Sequence, residues 1–231
     1  MKKNKISILS SVYNSSEWLG CYLNCINDQL LETFEVIFVD ANSDDDSLKK
    51  IKSFNFRKGI DVKIIECDYR IGIYEAWNKA IEIATGNYVL NWNTDDLLFP
   101  SALLIYNKYA EKKPSKDVIY SSFFVINQQN LNSITSYRNF PQPTHESMLK
   151  YCPCGPFPLL KKSSIEKVGL FDEDFKISGD YATWLKMSKN GCSFFKIQEP
   201  LGGFYEREGS TSIKRIQEAQ AEDRLIQKKY K

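Results

Sequence analysis

Histidine occurs once in the 231 residues, at His145, and the six cysteines contain no Cys-x-x-Cys pair, so the usual ligand spacing of a structural zinc site is missing. The first strand-to-helix turn, Val12-Tyr13-Asn14-Ser15-Ser16, has no glycine, which removes the G-x-G-x-x-G dinucleotide fingerprint. G-x-x-x-x-G-K-[ST] is absent as well, which argues against P-loop chemistry. No apolar stretch approaches the roughly 20 residues needed to span a bilayer. An excess of one charge is also lacking: 31 basic and 29 acidic residues leave a formal net charge of +2, too balanced to advertise nucleic acid as a partner. The cysteines (Cys21, Cys25, Cys67, Cys152, Cys154, Cys192) read as mostly buried thiols of a reducing compartment, because Met1-Lys2-Lys3-Asn4-Lys5 leads into a strand rather than a signal sequence. The expected location is cytoplasmic, touching a membrane only from its surface.

With 42% hydrophobic and 26% charged residues, the chain is that of an ordinary globular α/β protein. Ile6–Val12 reads as a strand, followed by a helix with apolar positions Trp18, Leu19, Tyr22, Leu23 and Ile26. The pattern repeats. Phe34–Val39 is a strand ending at Asp40, and Asn42-Ser43-Asp44-Asp45 leads into a helix through Ile51. Val62–Ile65 is a third strand, Ile73–Ala84 a helix closed by Gly86, and Tyr88–Trp92 a fourth strand before a helix opening at Pro100. Such alternation implies a parallel sheet with right-handed crossovers. After Pro114 it weakens. Val118–Asn127 and Ile134–Tyr137 read as strands around the turn-prone Asn130-Leu131-Asn132-Ser133, and Pro141–Pro158, with five prolines, as loop. Ser163–Val168 and Tyr181–Lys189 are helices, Cys192–Gln198 and Gly203–Glu206 strands, and Ile213–Tyr230 a polar helix. A single domain over 1–231 is the economical organisation, with a first half to about residue 112, an elaborated second half to about 212, and a C-terminal helix over 213–231.

The chemistry gathers at the strand exits. Tyr13 and Asn14 follow the first strand, Asp40 and Ser43 the second, Asp68 and Arg70 the third, Asp95 and Asp96 the fourth. Each alone serves equally as a cap or turn residue. Together, on neighbouring parallel strands, they line the carboxyl edge of the sheet, where open α/β sheets bind ligands. Adjacent carboxylates there repel unless a cation or hydrogen-bond donors hold them, so Asp95-Asp96 reads as a divalent-metal or polyol site, or as a cap for the next helix.

An ordered series of motifs then resembles the family 2 glycosyltransferases of the GT-A fold, from about Ile6 to Ser212. It comprises Val12-Tyr13-Asn14 with Glu17, Gln29, Phe38-Val39-Asp40-Ala41-Asn42-Ser43-Asp44-Asp45, Gly72-Ile73-Tyr74-Glu75-Ala76-Trp77-Asn78-Lys79, Thr85-Gly86-Asn87-Tyr88, Asn93-Thr94-Asp95-Asp96, Lys167-Val168-Gly169-Leu170-Phe171-Asp172, and Gly179-Asp180-Tyr181-Ala182-Thr183-Trp184-Leu185. The resemblance implies a mostly parallel Rossmann-like sheet with helices on both faces and an acceptor-side second half. It also implies inverting transfer of a sugar from a nucleoside diphosphate sugar, UDP-linked by family habit, to an acceptor hydroxyl of a surface polysaccharide or lipid-linked glycan. In it Tyr13, Asn14, Glu17, Asp40 and Ser43 cradle the nucleoside, and Arg70, Asn78, Lys79 and Asn93 complete the donor site. Asp95 is the main carboxylate of the D-x-D motif for Mn2+ or Mg2+, and Asp180 is the base. The chain departs from the family at Asn93, where the first D-x-D carboxylate is a neutral oxygen ligand. It departs again near Tyr205–Ser212, where a histidine of relatives is missing and Arg207 or Glu208 substitutes.

Several of these residues have a structural role open to them too. Asp180 is placed to cap the helix that follows it, and Trp184, at helical spacing from Tyr181, reads as core more than as a sugar platform. His145 reads as a surface loop residue or an acceptor contact. In the C-terminal helix Lys214, Arg215, Arg224, Lys228, Lys229 and Lys231 interleave with Ile213, Ile216, Leu225 and Ile226, giving a solvated helix with one packed stripe or a weak peripheral membrane contact. Two other functional classes compete. A sugar-phosphate nucleotidyltransferase requires a glycine-rich basic loop that Val12–Ser16 does not offer, and a non-catalytic glycan-binding relative is favoured by Asn93 but opposed by Asp95 and Asp180.

Overall fold

The computed structural model describes residues 4–127, 133–206 and 215–231. Four strands, β1 (Ile6–Val12), β2 (Phe34–Asp40), β3 (Ile60–Glu66) and β4 (Tyr88–Asn91), run parallel in the order β3-β2-β1-β4. Between them lie α1 (Ser16–Asn27), α2 (Ser47–Ser53) and α3 (Ile73–Ile83). β1 and β2 are almost wholly buried, as expected for parallel strands covered on both faces, with Ser7, Ser10, Glu35 and Asp40 among the buried residues. α3 stops at Ala84 in extended conformation, not at a left-handed glycine. Gly86 is needed for a different reason: its N–H donates to Ser7 Oγ, and a Cβ there would lie 2.5 Å from that hydroxyl and 2.7 Å from the Lys5 carbonyl.

The second half is mixed rather than parallel. It holds β5 (Asp96–Leu98), α4 (Ala102–Lys112), β6 (Val118–Asn127), β7 (Ile134–Arg138), α5 (His145–Met148), β8 (Leu159–Lys161), α6 (Lys162–Lys167), α7 (Gly179–Lys189), β9 (Phe194–Glu206) and α8 (Ile216–Tyr230). The short β8 runs antiparallel to both β4 and β6, joining the two halves into one sheet. β9 is one long strand parallel to β6, with register shifts near Ser121 and Ser122, where separate strands were expected. β5 and β8 were not anticipated, being only three residues each, and α5 lies inside the stretch expected to be loop. A capping box at Thr144 starts α5, its hydroxyl accepting from the Ser147 N–H. The expected turn over Asn130–Asn132, and Ile213 and Lys214, lie outside the described residues.

One side of the sheet packs Leu19, Tyr22, Leu23 and Ile26 of α1 and Leu103 and Tyr106 of α4. The other packs Tyr74, Trp77 and Ile81 of α3, Tyr181, Trp184 and Leu185 of α7, and Ile226 and Tyr230 of α8. Trp184 is fully buried core. α8 packs through Ile226 and Tyr230, while Ile216 and Leu225 face outward. No helix among the described residues is long and apolar enough to cross a membrane. All six cysteines are free thiols; against the expectation of general burial, Cys154 alone is buried and Cys21 is exposed.

Candidate active site

The parallel strands end at a cavity of about 1120 Å³, large for a single small ligand and roomy enough for a donor and an acceptor together. Tyr13, Arg70, Asn93, Asp95 and Asp180 all line it, although they come from widely separated parts of the chain.

The turn that carries Asn93 and Asp95 is braced from beneath. The Trp92 indole donates to the Asp96 carbonyl at 3.0 Å, the Asp96 N–H donates to the Asn93 carbonyl at 3.1 Å, and the Tyr22 hydroxyl sits 2.9 Å from both the Trp92 carbonyl and Ser10 Oγ. β5 then anchors the turn by pairing with β9. Asn93 Oδ1 is buried with no hydrogen-bond partner. A buried acceptor left unmade is costly, and a cation shared with Asp95 would satisfy it. One carboxylate and one amide oxygen on the same cavity are the hard oxygen donors that Mg2+ or Mn2+ takes together with phosphate oxygens, and among the described residues no group of three or more His, Cys, Asp or Glu side chains is arranged to hold a metal.

At the β1 and β2 exits, Asn14 and Asn42 adopt left-handed conformations with φ of 46° and 62°. Asparagine tolerates that region better than most residues. The strained turns interlock: the Asn14 N–H donates to Ser43 Oγ at 3.1 Å, the Asp44 N–H to Asn14 Oδ1 at 3.0 Å, and the Ser16 N–H to Asp45 Oδ2 at 3.0 Å. Burial raises the Asp45 carboxyl, but hydrogen bonds from Ser47 and Ser16 outweigh it and bring it to about 2. Asp40 is buried; its Oδ2 accepts from the Ser43 N–H at 3.1 Å, and Oδ1 has no partner. The guanidinium carbon of Arg70 lies over the Tyr13 ring, 4.1 Å from its centroid.

Asp180 stands at the second position of α7. Ser178, not Asp180, occupies the N-cap, so the capping role expected of Asp180 falls to its neighbour. Its Oδ1 accepts from the Tyr181 N–H at 2.8 Å and lies 3.4 Å from the Tyr74 hydroxyl. Burial pushes the Asp180 carboxyl up to about 6; the Tyr181 N–H opposes the rise and Asp223 adds to it.

Other expected site residues do not line the cavity. Glu17 is exposed in the first turn of α1, Lys79 pairs with Glu75 at 3.7 Å, and Asn14, Asp40 and Ser43 lie in the interlocked turns just described. Asn78 is a brace. It donates to the Phe171 carbonyl at 3.0 Å and to Glu173 Oε1 at 2.7 Å, and accepts from the Phe171 N–H at 2.9 Å, fixing the segment before α7 onto α3. Gln29 is likewise structural, donating to the Cys25 and Phe99 carbonyls and accepting from the Leu103 N–H. His145 is no acceptor contact: its ring lies 3.2 Å from Ser188 Oγ and 3.0 Å from the Tyr230 carbonyl, tying α5 to α7 and α8. Arg207 and Glu208 lie outside the described residues. Sequence reasoning gave no role to Tyr74, although it lies in one of the family motifs, and missed Glu222, which no local signal marks; each acts on the α7 approach from more than 40 residues away.

The parallel first half, the mixed second half and the carboxylates at the β4 exit define a GT-A type fold. It superposes on S. aureus TarS 1-349 in complex with UDP with a TM-score of 0.73 at 20% identity, covering 88% of this chain and 60% of that one. Mannosyltransferase PcManGT of Pyrobaculum calidifontis, in complex with GDP-Man and Mn2+, gives 0.74 at 17% identity over 95% of this chain and 62% of that one. The sequence matches the model of Glycosyl transferase family 2 over residues 7–169, and the chain belongs to that family. It is 26% identical to the amylovoran biosynthesis glycosyltransferase AmsB of Erwinia amylovora over 218 residues, 89% of this chain and 71% of that protein. It is 23% identical to an Escherichia coli UDP-Glc:alpha-D-GlcNAc-diphosphoundecaprenol beta-1,3-glucosyltransferase, WfgD, over 80% of this chain and 70% of that protein.

Proposed function

We propose that this protein is an inverting glycosyltransferase that moves a sugar from a UDP-sugar to an acceptor hydroxyl in the synthesis of a surface polysaccharide or lipid-linked glycan. The observation that carries the reading is Asp180: a carboxylate raised to about 6, on the same cavity as Asp95 and the stacked Tyr13–Arg70 pair. At neutral pH such a group is still ionised yet is a stronger base than an ordinary aspartate. It accepts the acceptor hydroxyl proton as that oxygen bonds to the anomeric carbon. The bond from that carbon to the diphosphate breaks in the same step, and the nucleoside diphosphate leaves with the electron pair. One displacement inverts the centre.

Tyr13 and Arg70 offer a flat aromatic and cationic surface to the nucleotide. The unpartnered Asp40 Oδ1, in the turns shared with Asn14 and Ser43, is an acceptor for a base N–H or ribose hydroxyl, whereas Glu17, Asn78 and Lys79, exposed or committed to Phe171, Glu173 and Glu75, are left out of the donor site. Asp95 and Asn93 would hold a divalent cation, which when bound supplies positive charge against the departing diphosphate. The UDP and UDP-sugar complexes of the structural neighbours support the nucleotide, and the polysaccharide relatives support the acceptor class.

A thermal-shift panel of UDP, GDP, UDP-glucose, UDP-N-acetylglucosamine and GDP-mannose, each with Mn2+ or Mg2+, tests the reading. Ligand at about 100 times its Kd stabilises the fold by about 2.7 kcal/mol, a shift of several degrees. UDP-linked compounds are expected to give it. A panel with no shift overturns the reading.

A further inference from the structure

We propose that Glu222 of α8 and Tyr74 of α3 are positioning residues for Asp180, gripping the approach to α7 from two sides; the inference rests on Asp180 acting as the base. Glu222 Oε1 accepts from the Lys176 N–H at 2.9 Å, and Oε2 accepts from the Ile177 and Ser178 N–H groups, each at 2.9 Å. One carboxylate thus satisfies three consecutive amides directly ahead of α7, where Ser178 makes no side-chain cap. Charge-assisted bonds of this kind are about twice as strong as neutral ones, and here they fix backbone two residues from the reacting carboxylate.

Tyr74 grips the other side. Its hydroxyl donates to the Ile177 carbonyl and reaches within 3.4 Å of Asp180 Oδ1. Burial, with Asp180 adding to it, holds the Tyr74 phenol well above its ordinary value, so it remains a donor. Its ring also lies so close over Gly179 that a Cβ there would come within 2.6 Å of it and of the Asp172 carbonyl. The segment from 176 to 180 therefore has little freedom, and the constraint comes from helices that carry no reacting group. The titratable groups facing Asp180 are Tyr74, Cys152, Cys154 and Asp223, with Glu222 beside Tyr74.

The test is a carboxyl NMR titration of full-length protein labelled in its aspartates, with Asp180→Asn identifying the resonance; it needs no turnover. Glu222→Gln puts an NH2 group against backbone N–H groups and opens the segment to water, so the Asp180 titration should fall from about 6 toward the ordinary 3.8. UDP release from UDP-glucose or UDP-N-acetylglucosamine with Mn2+ should fall roughly ten- to hundredfold, as expected for misplacing a reacting group by about 1 Å, while the Kd for UDP stays within about twofold. Tyr74→Phe keeps the ring over Gly179 and removes only the hydroxyl; the Asp180 titration should rise above wild type, and this variant carries the test if Glu222→Gln does not fold. An Asp180 titration unmoved in both variants overturns the inference, as does a lower melting temperature with unchanged turnover per folded molecule. Full turnover in Asp180→Asn instead overturns the base assignment itself.

Discussion

Asp180→Asn should make the protein more stable and almost inactive, and the stability gain should depend on pH. The carboxyl moves from an ordinary 3.8 to about 6 on folding, chiefly through burial. A group whose folded pKa is raised penalises the folded state once it is ionised: the penalty is absent below 3.8, grows across the window up to about 6, and is complete above it. At about 1.4 kcal/mol per pH unit the full penalty is about 3 kcal/mol, an upper bound, because the asparagine must itself be accommodated in the same site. Asparagine keeps an oxygen for the Tyr181 N–H and the Tyr74 hydroxyl, so the geometry survives while the base is lost. For a chain of this length about 3 kcal/mol corresponds to a rise of roughly 6–12 °C in Tm. Melting curves at pH 8 and pH 4 read the first half: the variant should be higher at pH 8 and should converge on wild type at pH 4. Turnover reads the second half, with a loss of about 10²- to 10⁴-fold expected for a removed general base. Equal melting at both pH values would refute the burial argument, and wild-type turnover would remove Asp180 from the mechanism.

Asp95→Ala should abolish transfer and the Mn2+-dependent part of UDP binding, whereas Asn93→Asp should tighten Mn2+ binding by supplying the second carboxylate; calorimetry with Mn2+ and UDP distinguishes them. Asp40→Ala should lower UDP affinity by about 1–3 kcal/mol if, as proposed, the buried and unpartnered Oδ1 takes a nucleoside donor, and unchanged affinity would place the nucleoside elsewhere. Far from the cavity, Glu35 is fully buried and pairs with Lys63 at 2.8 Å. Burial raises its carboxyl, but Lys63 and hydrogen bonds from Ser7 and Thr85 outweigh it and lower it to about 2. The stability this gives is present above its ordinary 4.5 and is lost as pH falls through about 2, so Glu35→Gln should cost about 3 kcal/mol in urea unfolding at pH 7 and much less near pH 2.

The order of elements in the first half, and the edge on which ligand residues collect, are decided locally. β-Branched runs such as Ile6–Val12 and the helical spacing of Leu19, Tyr22, Leu23 and Ile26 leave little choice of period, and parallel strands then put Tyr13, Asp40 and Asp95 at one end without further information. The sequence also carried the family motifs through Asp180. It could not show that Asn78 and Gln29, motif residues both, spend their hydrogen bonds on bracing loops, since an amide side chain reads the same whether it meets a ligand or a backbone. Nor could it place β5 and β8, whose pairing partners lie far along the chain and whose three residues carry no period. The raised Asp180 carboxyl and the Glu222 and Tyr74 contacts around it belong to tertiary structure alone. They depend on burial and on hydrogen bonds between groups 44 to 106 residues apart, and such distances enter the energy only once the chain has closed on itself.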